Sequence, residues 1–153
     1  MKKDLMIMSY LRRNSRESLT SISHKIKIPI STIYDRLRVY EHTTIMKYTS
    51  LLDFAQLGFN TRANIAIKVE QSERESLKRF LMEHKHVNSL FKINNGFDYL
   101  ADVVFRHVKD LEDFLESLES RYHIKEKQVY YVIQDIKREE FLSNPDELGL
   151  IEL

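Results

Sequence analysis

"KIKIPISTIYDRLR", residues 25–38, sets a proline between two runs of helical spacing and carries Lys25, Lys27, Arg36 and Arg38. Proline has a fixed φ and no N–H, so Pro29 marks a turn or the first residues of a helix, not a helix interior. After it, Ile30, Ile33, Leu37 and Tyr40 recur at helical spacing to about Glu41, which predicts a helix with these four side chains inward. Before it, Ser18 is a candidate N-cap for a helix that turns Leu19, Ile22 and Ile26 inward. Further upstream, Leu5, Met8 and Leu11 stripe a first helix ending near Asn14. Two short helices joined by a tight turn, behind a supporting helix, make a helix-turn-helix. The next stretch, "TTIMKYTSLL" at 43–52, is β-branched and alternating, which predicts a small β-wing.

The charge divides along the chain in the same place. Residues 1–48 hold ten Lys/Arg against four Asp/Glu, while the remainder holds fourteen against nineteen, so a net charge of +1 hides a basic first third. That split suggests a polyanion-binding module joined to something with another task. A length of 153 residues suits one ordinary domain or two small ones. No apolar run approaches a membrane span, and Lys2 and Lys3 are followed by no apolar signal core. The chain has no cysteine, which excludes disulfides and thiolate sites; together these features lead us to expect a cytoplasmic protein.

Beyond "DFAQLGF" at 53–59 the period changes from helical to two. Ala63, Ile65, Ile67 and Val69 alternate with more polar residues, predicting a half-buried strand. Ser72-x-x-Glu75 reads as a capping box, opening a helix with Leu77, Phe80, Leu81 and His84 inward. Val87, Ser89, Phe91 and Ile93 read as a second strand, "NNG" at 94–96 as a hairpin turn, and Tyr99, Ala101, Val103 and Phe105 as a third strand. Leu111, Leu115, Leu118 and Tyr122 stripe a second helix, and Val129, Tyr131 and Ile133 a fourth strand. The order βαββαβ is the ferredoxin-like arrangement, so the fold class is α+β. Leu100, Val104, Tyr130 and Val132 fall on the sheet face away from the helices, which predicts a second copy as its cover and hence a homodimer. The expected division is a winged helix-turn-helix at 1–49, a linker at 50–58, the ferredoxin-like domain at 59–137 and a tail at 138–153, either exchanged onto a neighbour or a loose end.

This pattern resembles the Lrp/AsnC (leucine-responsive, feast/famine) transcription regulators. The likeness is carried by "DLMIMSYLRRNSRESLTSIS", with Asp4, Ile7, Leu11, Asn14, Arg16, Ser18 and Ile22 matching, and by Ile33, Arg36 and Leu37 in "STIYDRLRVYE". "LGF" at 57–59 and "GFDYL" at 96–100 extend it across roughly residues 4–136. Three positions depart from the family: Ser23 replaces a usual alanine, and Lys27 and Thr44 replace usual glycines. Without its glycine, the turn at Lys27 is expected to force a left-handed backbone on a residue with a side chain.

On this reading the helix after Pro29 presents Ser31, Thr32, Tyr34, Asp35 and Arg38 to double-stranded DNA, with Arg36 and Arg38 suited to guanine or phosphate. Arg16, Lys25, Lys27 and Lys47 would position the helix on the phosphate backbone. The resemblance implies that the hairpin of Asn95, Gly96, Phe97, Asp98 and Tyr99 meets its like between dimers, joins them into a larger ring such as an octamer, and encloses an amino-acid effector. Asp98 would hold the α-ammonium and amides near Gly96 the carboxylate. His84 and His86 lie two apart at a helix end with no third ligand nearby in sequence, so no metal is expected. No phosphate loop, nucleophile elbow or zinc motif is present, which points away from an enzyme and its cofactors. The alternative is an effector-binding or sirohaem-decarboxylase-like protein of the same architecture that does not bind DNA.

Overall fold

The computed structural model describes residues 2–150. Three helices form the first part: α1 (Lys2–Arg13), α2 (Leu19–Ile26) and α3 (Ile30–Thr43). Ser18 caps α2 as its spacing suggests, its Oγ accepting the Ser21 N–H at 3.1 Å. At the other end of α2, Lys27 adopts the left-handed conformation (φ 53°, ψ 53°). Ser23 supports this turn, its hydroxyl donating to the Ile28 carbonyl at 2.6 Å. Two departures from the family pattern therefore sit in one turn: a lysine that strains it and a serine that ties it. Ile7, Leu11, Ile22, Ile26, Ile28 and Ile33 make the core of the three helices.

Two expectations fail here. Ile30 is not inward but 45 % exposed, because the left-handed turn at Lys27 aims Ile28 into the core and leaves the first residue of α3 outside. The β-wing is absent among the described residues: 45–53 follow α3 without pairing. This segment has no ladder partner among the described residues, and it is tied back to α3 by the Ile45 N–H, which donates to the Tyr40 carbonyl at 2.8 Å, and by the Tyr48 hydroxyl, which donates to Glu41 Oε1 at 3.0 Å.

Contacts group the chain up to Leu51 with the residues from Ile136 onward, and Leu52–Asp135 as a second unit. The tail thus folds within its own chain, as a 3-10 segment (Pro145–Leu150) against α1. Arg12 anchors it, donating through Nε to the Phe141 carbonyl at 2.5 Å and through Nη2 to the Glu139 carbonyl at 2.9 Å. Leu148 is buried, and so is Ser9, on the flank of α1 opposite Ile7. The tail therefore supplies apolar cover to a helix whose other flank meets α2 and α3.

The second unit is a four-stranded antiparallel sheet of β1 (Thr61–Val69), β2 (Val87–Lys92), β3 (Tyr99–Phe105) and β4 (Ile124–Tyr131), in the order β2-β3-β1-β4. Two helices, α4 (Arg74–Glu83) and α5 (Val108–Arg121), complete βαββαβ and cover one face, burying Ile65, Ile67, Leu77, Leu81, Leu111 and Leu115. Local details differ from the periodic reading. The Glu70 carboxylate takes the Gln71 N–H at 3.1 Å and opens a 3-10 turn (Gln71–Glu73), so α4 starts after Ser72 and no capping box forms there. A register shift between Val87 and Ser89 packs Leu90 on the core and leaves Phe91 exposed, the reverse of strict alternation. β4 ends at Tyr131, and Ile133 is 92 % exposed.

The open face of the sheet carries Leu100, Val104 and Tyr130 as expected, but a polar cluster lies among them. Arg62 on β1 makes a forked pair with Asp102 on β3 (2.9 and 3.1 Å) and reaches Asp135 at 2.9 Å. The Asn88 amide donates to the same Asp102 carboxylate at 2.8 Å, and Asp102 is only 5 % exposed. Its burial is tolerable because every oxygen has a donor.

Candidate nucleic-acid interface and hairpin

The DNA-contact candidates divide by whether the fold already uses them. On α3, Ser31, Tyr34, Asp35 and Arg38 are exposed, while Thr32 is half-buried beside them. Tyr34 lies one turn beyond Ile30, and Arg38 one turn beyond Tyr34, so the three form one exposed flank of α3. Lys27 is exposed immediately before the helix, and Arg16 and Lys47 are exposed in irregular chain on either side of the helix pair.

Arg36 is different. Its Nη1 donates to Asp4 Oδ1 at 2.6 Å, and the Tyr40 hydroxyl donates to the same oxygen, so α3 is tied to α1. Burial, together with the hydrogen bond to Asp4, pushes the Tyr40 hydroxyl up to about 12. Lys25 is ion-paired to Glu17 and lies 5.0 Å over the Tyr10 ring. The Lys25 hydrogen bond, with help from Ser21, holds the Glu17 carboxyl below its ordinary range. Arg36 and Lys25 therefore serve the structure of the three-helix unit first, and Arg38 is the arginine that α3 presents without an ion pair among the described residues.

In the second unit, the β2–β3 hairpin turns on Asn95 (φ 60°) and Gly96 (φ 85°), both left-handed, as the Asn-Gly pair suggests. The Ile93 N–H closes it onto the Asp98 carbonyl at 3.1 Å. Asn95 and Gly96 stand in solvent and Phe97 is half-buried. Asp98 is engaged inside the unit: Oδ2 accepts the Val69 N–H at 2.9 Å and Oδ1 pairs with Arg74 Nε at 2.8 Å. Tyr99 is buried, its hydroxyl donating to the Arg74 carbonyl at 3.1 Å, and burial raises its pKa. Asp98 and Tyr99 thus pin the start of α4 and the end of β1 to the hairpin, a double role that spacing alone does not reveal. An ammonium brought to Asp98 would have to share or displace Arg74.

The two histidines meet as packing groups. The His86 ring stacks on Phe105 at 4.4 Å with Nδ1 2.7 Å from the Val104 carbonyl, while the His84 ring lies 4.8 Å from Phe114. Sequence reasoning missed Arg62 and Asp102 altogether. Their signal was present as opposite charges on two predicted strands, but only the pairing of Arg62 with Val104 and of Asn64 with Asp102 makes them diagonal neighbours.

A family model described as Lrp/AsnC ligand binding domain matches residues 62–141. A relative in Pyrococcus furiosus, named as an uncharacterized HTH-type transcriptional regulator, is 28 % identical over 143 residues, covering 93 % of this chain and 96 % of its own. Among solved structures, a transcriptional regulator of Neisseria meningitidis in complex with L-Met has a TM-score of 0.82 at 22 % identity, covering 90 % of this chain and 92 % of that one. AsnC of E. coli has a TM-score of 0.80 at 17 % identity, covering 90 % of this chain and 95 % of that one. These structures share the fold.

Proposed function

This chain belongs to the Lrp/AsnC family, and we propose that it is a sequence-specific, DNA-binding transcriptional regulator whose second unit senses an amino acid or a related small molecule. The observation that carries the DNA reading is the flank of α3: Ser31, Tyr34 and Arg38 stand exposed on the second helix of a helix-turn-helix, in the basic third of the chain. Ser31 and Arg38 have the donors that base edges and phosphates accept, while Lys27, Arg16 and Lys47 supply charge for the backbone. Lys25 and Arg36 contribute from a distance, through the field of the unit and the rigidity of its helices.

The relative in Pyrococcus furiosus is named a regulator, which supports the same role here. For the effector, support comes from the L-Met complex of the similar Neisseria regulator. The proposed site in this chain is the hairpin from Asn95 to Tyr99, with exposed amides at its tip and the Asp98–Arg74 pair beneath. An amino acid has both the ammonium to compete for Asp98 and the carboxylate to take Arg74, so it could replace that pair by two of its own. Dimerisation through the open sheet face, around Leu100, Val104 and Tyr130, is part of the proposal, as is assembly of dimers into a larger ring such as an octamer. A dimer would read half-sites about one helical turn apart, or a multiple of it. A cytoplasmic location is part of the proposal, in keeping with a DNA-bound role; none of the described helices is long and apolar enough to cross a membrane.

Selection of bound sequences from random duplex DNA, with and without a pool of amino acids, tests this reading. A pseudo-palindromic site is expected, with binding or assembly altered by at least one amino acid. Arg38→Ala should weaken the selected site by about 1–3 kcal/mol, and an equal loss on random DNA would make Arg38 a phosphate contact. Failure to bind any duplex at low salt would overturn the regulator role and favour the effector-binding protein that does not bind DNA.

A further inference from the structure

The exposed flank of α3 is chemically unusual for a surface that faces a polyanion. Its first turn presents Ile30, 45 % exposed, and its second turn Tyr34, 53 % exposed, before Arg38 follows in the third. Neither apolar side chain has a role in the core, which Ile28 and Ile33 fill. Pro29 precedes them, so the chain enters α3 without a side-chain cap and with Ile30 at the first helical position.

In the major groove, base edges offer donors and acceptors almost throughout, and the one apolar group is the 5-methyl of thymine. The N-terminal residues of a recognition helix are the ones that approach base edges. We propose that Ile30 and Tyr34 are specificity-determining residues that read thymine methyl groups, so that each half-site of the preferred DNA carries thymines at the positions facing the first two turns of α3. The inference rests on the DNA-binding role proposed above and adds the class of base that it selects. Charge complementarity supports the occupant: residues 1–48, which carry this apolar flank, have ten basic residues against four acidic ones. The unit stays net positive when the tail's Lys137 and Arg138 are set against Glu139, Glu140, Asp146, Glu147 and Glu152, so the apolar pair is set in a segment that attracts phosphate. Ser31, between the two, has a hydroxyl that can bond a base edge or a phosphate on either strand. Asp35, on the same helix, accepts only, so it repels phosphate and favours a cytosine amino group nearby.

The test uses the full chain and a duplex that it selects from a random pool, with each thymine in turn replaced by deoxyuridine. Deoxyuridine keeps pairing and the O4 acceptor and removes only the methyl. At one or two positions in each half-site, loss of the methyl should weaken wild-type binding about fourfold, the size expected for one buried CH2-sized group. Ile30→Ala and Tyr34→Ala should each bind thymine and uracil equally at one of those positions, while Arg38→Ala keeps the discrimination. Tyr34→Phe, which retains the ring, should also keep it. Wild-type indifference to every replacement, with sequence selection intact, would overturn the proposal and mark Ile30 and Tyr34 as a surface for a protein partner. Retention of the methyl effect in both alanine variants would overturn it too. Because the wild-type series needs no variant, it decides the matter even where Ile30→Ala fails to fold. If the chain selects no sequence at all, the regulator role fails, and this inference fails with it.

Discussion

Lys27 shows how one residue can be asked for two things. Its left-handed backbone closes the helix-turn-helix, a conformation that costs a residue with a side chain about 1–2 kcal/mol. Lys27→Gly should therefore raise the stability of the three-helix unit by about 1 kcal/mol in thermal or urea unfolding. If Lys27 also meets phosphate, the same variant should lower the salt dependence of DNA binding by about one counterion. A more stable protein with an unchanged salt slope would assign Lys27 to the turn alone. Tyr40 offers a second residue-scale test. Its hydroxyl is raised from about 10 to about 12 in the folded chain, so its contribution is complete below pH 10 and is lost as pH rises through 12. The unfolding free energy of the wild type should fall more steeply over that window than that of Tyr40→Phe, and equal slopes would show that the Tyr40 hydroxyl contributes nothing there.

Among the elements, the tail is the one whose behaviour the helix pattern least foretells. The segment Pro145–Leu150 lies against α1, with Arg12 holding the carbonyls of Glu139 and Phe141 and Leu148 buried. A buried leucine truncated to alanine typically costs about 2–5 kcal/mol, so Leu148→Ala should destabilise the three-helix unit by an amount in that range. Hydrogen exchange of α1 amides should rise in parallel, which localises the loss. Unchanged exchange in α1 would show that the tail rests on the helix without supporting it. By the same logic, a fragment ending at residue 49 should be less stable than the same helices in the full chain.

At the scale of the whole molecule, the open sheet face matters most. Leu100, Val104 and Tyr130 surround the Arg62–Asp102 pair, in which each Asp102 oxygen and each guanidinium nitrogen has at least one partner within the protomer. A second copy laid on this face would bury that pair further without leaving it uncompensated, so the cluster is compatible with an interface and can set its register. Tyr130 is exposed in the protomer, which makes it a better probe than a buried neighbour. Tyr130→Glu should leave the fold intact yet weaken self-association by at least about tenfold, because it brings a charge into an apolar contact without a partner. Sedimentation of the two proteins measures this, and identical association would move the interface elsewhere.

Periodicity by itself determined the order of the five described α-helices and of the four strands of the sheet, though not the absence of the expected wing, since the change from helical spacing to alternation near Phe59 needs no tertiary information. The same holds for the Ser18 cap and the Asn95-Gly96 turn, where local backbone chemistry dictates the residue. The basic third of the chain and the helix after Pro29 likewise made a helix-turn-helix, and with it the proposal of DNA binding, legible from residue types alone. Tertiary structure decided what local rules leave degenerate. Ile28 and Ile30 are equally apolar, and only the handedness of the turn at Lys27 selects which one enters the core. Alternation in β2 predicts one face for Phe91, but a register shift against β3 gives it the other. The commitments of Arg36 to Asp4 and of Asp98 to Arg74 join residues 32 and 24 positions apart, beyond the reach of any spacing rule. The tail's place on α1 is of the same kind: burial against a distant helix is a property of the folded chain, where apolar surfaces find each other through space and not along the sequence.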